Sequence, residues 1–163
     1  MQPRTAQRIY LEDQRDRKIL RGMNGSPSER KSWGDAVWKR DRVRQKEMRA
    51  IIQHGDLKTG KDFYAAAMVF QHGTLTDVKR AVRLAKASIE LGYRPAKWLF
   101  AAATDRSLMF QNKVQKYGTQ YRRNAKDKWQ LYRYSRKTTD DERAQFDVPS
   151  LEQALEDAKN IGY

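Results

Sequence analysis

Phe63-Tyr64-Ala65-Ala66-Ala67-Met68-Val69-Phe70, and the run Ala-Val-Arg-Leu-Ala-Lys-Ala-Ser-Ile-Glu-Leu-Gly-Tyr-Arg-Pro-Ala-Lys-Trp-Leu (81–99) that follows it, decide the architecture of this chain. The first stretch is apolar on almost every side, which marks a helix buried at the centre of a bundle. The second belongs to an amphipathic helix with Val78, Ala81, Val82, Ala85 and Ile89 on one stripe and Lys79, Arg80, Arg83 and Lys86 elsewhere. Alanines at helix crossings let two backbones approach closely, as an antiparallel pair requires. Gly92 then stops the helix and Pro95 opens the next one.

Working outward, helix punctuation recurs. Ser26-Pro27-Ser28-Glu29 combines a serine N-cap, a proline at the first helical position and a glutamate at N3. Thr59-Gly60-Lys61-Asp62 and Thr74-Leu75-Thr76-Asp77 repeat the pattern with aspartate, and Ser150-Leu151-Glu152-Gln153 opens the last helix. Gly55, Gly73 and Gly92 each follow an apolar-periodic run, where a left-handed residue ends a helix. These signals predict six main helices over 5–21, 27–54 (with Gly34 as the point where it would break), 60–72, 76–91, 95–110 and 150–160. The 81–99 phrase has the look of a TPR/Sel1-like helix pair, but a solenoid needs about three copies at a fixed period and one is present.

After residue 115 the pattern changes. Thr119–Arg123 and Lys128–Tyr134 flank the turn-prone Asn124-Ala125-Lys126-Asp127, predicting a two-stranded hairpin with Trp129 and Leu131 on one face and Gln130 and Tyr132 on the other. An isolated hairpin is marginal in water, so one face should lie on the helices. A short helical turn begins at Thr138–Glu142. The expected fold is therefore mainly α, a single helical bundle with a repeat-like helical hairpin and a small C-terminal two-stranded β-hairpin. The whole chain, 1–163, reads as one domain: N-terminal helices to 58, the central hairpin and a third packing helix over 59–112, a basic loop and hairpin over 113–137, and an acidic helix over 138–163.

Composition narrows the function classes. The chain is 39% apolar and 33% charged, polar beside the roughly 45–50% and 25% of ordinary domains. Yet four Trp, eight Tyr and five Phe are too many aromatics for disorder. The absence of Cys removes disulfides, thiolate nucleophiles and Cys-based zinc sites. No stretch approaches the ~18 apolar residues of a membrane span, and Met1–Arg21 lacks the apolar core of a signal peptide. A soluble cytoplasmic protein, with no membrane partner, is the expectation. With 34 Lys and Arg against 20 Asp and Glu the net charge is +14. Nine basic residues and only Asp127 as counterweight lie between Lys113 and Lys137, while the segment from Asp140 onward is net acidic and can dock on that basic surface.

The informative positions are ionisable groups on faces that should be buried. Asp41 shares a stripe with Val37, Met48 and Ile52; Asp105 shares one with Trp98, Ala102 and Met109; Arg106 follows Leu99 and Ala103. Asp13 and Arg17 are spaced to pair on the first helix, and His72 closes the third. Each has an ordinary structural reading: a helix-surface ion pair, a His at a helix C-terminus, or a buried tie between helices. Burying several such groups together is costly unless they pair well, so their convergence would signal a site.

Asp13-Gln14-Arg15-Asp16-Arg17, Phe70-Gln71-His72-Gly73, Asp105-Arg106-x-Leu108 and Gln115-Lys116-Tyr117-Gly118-Thr119-Gln120 carry a resemblance. In that order they resemble the DQxDR … QH … DRxL … QxYGTQ signature of an uncharacterised bacterial helical family, a domain-of-unknown-function family. The likeness spans about residues 10 to 150. Family proteins often carry Gly-Trp-Pro ahead of the central helix, where this chain has Gln53-His54-Gly55-Asp56-Leu57. The resemblance marks Asp13, Gln14, Arg17, His72, Asp105, Arg106, Gln115, Tyr117, Gly118, Thr119 and Gln120. It lends positions and no reaction.

Within that set His72 is the side chain suited to move protons at neutral pH, and Asp105 or Asp13 could orient its ring. His72 and Asp105 are thus the candidate catalytic pair. Arg17 and Arg106 suit bidentate contact with a carboxylate or phosphate. Gln115, Thr119 and Gln120, on a Gly118 turn beside Tyr117, offer neutral donors and acceptors; with Asp13 and Gln14 they complete the candidate binding set. No elbow serine, Gly-rich phosphate loop or metal-ligand spacing is present, and His54 and His72 are eighteen apart. No cofactor is indicated.

Three functions stay open. The first is a small enzyme or ligand-binding protein whose partner is an anionic small molecule or peptide group. The second is nucleic-acid binding, in which Arg122, Arg123, Lys126, Lys128, Arg133, Arg136 and Lys137 would meet phosphates, with Tyr117, Tyr121, Trp129, Tyr132 and Tyr134 interleaved. The third is a helical protein-interaction module.

Overall fold

Each helix begins where a side chain can satisfy the first free N–H groups. In the computed structural model, which describes residues 4–161, Thr5 caps α1 (Ala6–Gly22). Ser26 and Glu29 close a reciprocal capping box on α2 (Pro27–Gln53). The aspartate versions close as well, Thr59 with Asp62 on α3 (Gly60–Phe70) and Thr74 with Asp77 on α4 (Leu75–Glu90). α5 (Ala96–Phe110) follows Pro95 without a side-chain cap. Thr139 caps the short α6 (Asp140–Ala144) and Ser150 caps α7 (Leu151–Asn160).

Two helix limits differ from expectation. α2 runs unbroken through Gly34, because neighbouring turns hold the ladder and a single glycine costs a helix only about 1 kcal/mol. α3 ends at Phe70, two residues early. The Gly73 N–H bonds the Phe70 carbonyl at 3.1 Å, and Gly73 lies so near Asp77 that an added Cβ would sit 2.5 Å from that side chain. Gln71 remains as the C-cap, its N–H on the Ala67 carbonyl at 3.0 Å, and the tight turn into α4 takes His72 off the helix.

α3 is the centre of the bundle. It packs against α1 and α4, α4 packs against α5, and α2 covers α1 and α3. Ala65, Ala66, Ala67, Val69 and Phe70 are buried, facing Ile9, Met48, Ala81, Ala85, Leu99 and Ala103. Among the described residues no helix is long and apolar enough to cross a membrane.

The hairpin forms as read, from β1 (Tyr121–Arg123) and β2 (Trp129–Leu131) paired antiparallel with Tyr121 opposite Leu131. Asn124 builds its turn by accepting from the Lys126 and Lys128 N–H groups at 2.9 and 3.0 Å. Leu131 and Tyr132, on opposite faces, are both buried, so cover at this end exceeds the single face expected. α7 packs on β2, and Glu142 pairs with Lys116 at 2.6 Å, so the acidic segment does lie on basic neighbours.

Candidate functional site

A cleft of about 330 Å³ opens where three helices and the α3–α4 turn converge. α2 contributes Gly34, Val37, Trp38 and Asp41, an i, i+3, i+4, i+7 stripe; α1 contributes Arg17 and Leu20; α5 contributes Arg106 and Phe110. Gln71, His72 and Gly73 arrive from the turn. Had α3 continued to residue 72, His72 would follow the helix ladder rather than the turn.

Beneath the cleft α1 and α2 are joined by buried charge. Arg17 donates through Nη2 to Asp13 Oδ1 (3.2 Å) and Asp41 Oδ2 (2.5 Å). Arg44 donates to Asp41 Oδ1 at 3.0 Å and to Asp16, and Arg40 grips both oxygens of Asp16 at 2.8 and 3.1 Å. Each of the three carboxylates thus has a guanidinium, as burial demands. The Arg17 Nε remains buried without a hydrogen-bond partner.

Arg106 is different. Its Nε and Nη2 donate to Gln120 Oε1 at 3.2 and 3.1 Å and its Nη1 to the Gln71 carbonyl at 3.0 Å. Among the described residues no carboxylate pairs with it. Burial, with the positive Arg17 nearby, pushes its guanidinium below the ordinary arginine range.

His72 lies 3.9 Å from Asp13, Nε2 to Oδ2, too far for a direct hydrogen bond. Burial pushes its pKa well below the ordinary 6.5, and Arg17, Arg106 and Arg44 add to the effect, so the imidazole is neutral at neutral pH. Asp13, 1% exposed, moves the other way. Burial raises its carboxyl to about 6, opposed by Arg17 and by the Gln14 amide and reinforced by Asp41.

These shifts carry opposite pH signatures. For His72 the unfolded chain binds more protons below about 6.5, so its contribution to stability falls as pH drops through that value. For Asp13 the folded chain binds more protons between the ordinary 3.8 and about 6, so its contribution falls as pH rises through that window. We expect His72→Gln to remove the acid-side loss alone. Between pH 7.5 and 5.5 the wild type should lose stability relative to the variant at up to about 1.4 kcal/mol per pH unit, read from urea midpoints. Parallel pH profiles would contradict a neutral buried imidazole.

Of the residues marked in the sequence, Arg17, His72 and Arg106 line the cleft. Asp13 lies just beneath, held by Gln14 through Nε2 to Oδ2 at 2.8 Å. The others lie in a second layer. Asp105 is fully buried and accepts from the N–H groups of Lys116, Tyr117 and Thr119 and from the Thr119 hydroxyl, at 2.7–3.0 Å. Burial pushes its carboxyl up, while these four donors pull it down. It orders the 116–119 loop and forms no hydrogen bond or ion pair with His72.

Gln115 is also occupied internally, donating to the Gln120 and Tyr132 carbonyls at 3.0 and 2.8 Å and accepting from the Gln120 N–H at 2.9 Å. Tyr117 packs on Phe146, and Gly118 takes the left-handed φ of 83° that the turn demands. Gln120 spends its oxygen on Arg106, and its Nε2 donates to the Ala102 carbonyl and the Thr119 hydroxyl. The loop therefore aims Arg106 rather than presenting its own polar groups. Trp38, Phe110 and Leu20 line the cleft unannounced. The Gly34–Asp41 stripe was the available signal.

The basic residues of the hairpin are all exposed, apart from the cleft. Arg123 pairs with Asp127 at 2.5 Å, and Arg133 donates to the Asn112 carbonyl at 2.6 Å. Arg122 and Arg123 cover the rings of Tyr132 and Trp129, 5.0 and 5.3 Å from their centroids. Lys126, Lys128, Arg136 and Lys137 have no acidic partner among the described residues. Nor do three metal-ligating side chains gather anywhere among them. Comparison with protein-family models, curated proteins and solved structures returned no match.

Proposed function

We propose that the cleft binds a small anion, a carboxylate or phosphate group, between Arg106 and Arg17 beside the neutral His72. The observation that carries this reading is Arg106, a largely buried guanidinium on the wall of the cleft whose partners among the described residues are neutral oxygens. A bound anion supplies the missing counter-charge, in the planar bidentate geometry to which arginine is suited.

The test is titration calorimetry with inorganic phosphate and acetate at fixed ionic strength. Arg106→Gln is expected to weaken the bound anion at least thirtyfold, the low end of the roughly 2–5 kcal/mol carried by a buried charge contact. The urea midpoint should stay close to wild type, because relief of a lone half-buried cation offsets the lost carbonyl contacts. Equal affinity in the variant, or no binding of either anion, overturns the reading. A second reading, nucleic-acid binding, is favoured by the exposed Lys126, Lys128, Arg136 and Lys137, which have no acidic partner among the described residues. Oligonucleotide binding that survives Arg106→Gln and weakens steeply with salt would select it.

A further inference from the structure

Two large apolar side chains stand in water at the cleft, Trp38 at 58% exposure and Phe110 at 54%. They come from two different helices, α2 and α5, and both line the hollow that Arg17 and Arg106 head. A smaller hollow of about 310 Å³, formed by Met109 and Gln120, shares Arg106 and Phe110 as its wall. The two hollows thus adjoin at Arg106 and Phe110. Scattered exposed hydrophobics need no explanation, but a group arranged around a cationic cleft describes the body of a ligand whose head is the anion. The Arg42 guanidinium lies 5.4 Å from the Trp38 ring centroid, against one face of the indole. The remaining face suits a flat partner, since aromatic planes stack with an offset. Gln71 also lines the cleft, its amide nitrogen turned to the Met68 sulfur at 3.1 Å.

We propose that the anion taken by this cleft carries a planar ring, held against Trp38 and Phe110 while its head group meets Arg106 and Arg17. The inference rests on the anion-binding reading above and narrows it to a chemical class: a phosphate or carboxylate joined to an aromatic ring, as in a nucleoside monophosphate or an aromatic acid.

Matched pairs of ligands separate the ring from the head. Adenosine monophosphate is compared with ribose 5-phosphate, and benzoate with acetate, by titration calorimetry on the full chain. In at least one pair the ring-bearing member should bind about tenfold tighter, the scale of one ring stacked on an aromatic side chain. Whichever pair responds identifies the head group. That ratio should collapse toward one in Trp38→Ala and Trp38→Leu and recover in Trp38→Phe, a pattern that a merely structural Trp would not give. Equal affinities within both pairs, or a ratio that survives Trp38→Ala, overturn the ring while leaving anion binding intact. Failure of both ring-free anions to bind, or indifference of all four ligands to Arg106→Gln, overturns the anion site itself and the ring with it.

Discussion

Asp105→Ala should cost on the order of 4 kcal/mol of folding stability, a large share of the roughly 5–15 kcal/mol a domain possesses. The carboxylate is wholly buried and accepts three backbone N–H groups and one hydroxyl from residues 116–119. Alanine leaves those donors in a dry interior with no acceptor, and each unsatisfied group carries about 1–3 kcal/mol. Asp105→Asn should fall between, because its amide keeps one oxygen but turns an NH2 group toward donors. Urea unfolding followed by aromatic circular dichroism checks both. A loss below about 1 kcal/mol for alanine would show that the loop holds itself.

Arg143→Met is expected to lose about 3 kcal/mol by the same measurement. This guanidinium is 1% exposed and donates to the carbonyls of Tyr117 (3.0 Å), Thr138 (2.6 Å) and Ser135 (3.4 Å). Its one acidic contact among the described residues, Asp140 at 3.1 Å, has a largely exposed side chain, so the charge serves mainly to gather backbone oxygens. Methionine preserves much of the stem and removes the donors. Asp105 takes the N–H of Tyr117 and Arg143 takes its carbonyl, so the two side chains hold one residue from both ends. The double variant should therefore lose less than the sum of the singles, by at least about 0.5 kcal/mol. Strict additivity would mean that the two anchors act on separate segments.

Cap chemistry is local, which is why Ser26, Thr59, Thr74 and Ser150 mark helix starts in the sequence within a residue or so of where they fall. Helix ends depend on the next element. α3 stops early because Gly73 must turn beneath Asp77, a contact that only the packed α4 supplies. Burial of Asp41 and Asp105 was legible from their stripes, since i, i+4 arithmetic needs no tertiary knowledge. Their partners were not. Asp105 bonds backbone N–H groups that every residue possesses, so no side-chain pattern betrays them. Trp38 escaped for the opposite reason: an exposed tryptophan on an amphipathic helix is ordinary until Arg17 and Arg106 are seen beside it.

Arg106 is moored at two points that enter the chain at different times. The Gln71 carbonyl precedes it, whereas Gln120 follows it by fourteen residues. As the nascent polypeptide leaves the ribosome N-terminus first, the five long helices can pair outside the exit tunnel before the second mooring has emerged from it. The wall of the cleft consequently takes its final shape late in biogenesis, and a chain stalled with residue 112 at the mouth of the exit tunnel would present a bundle whose Arg106 is tethered on one side only.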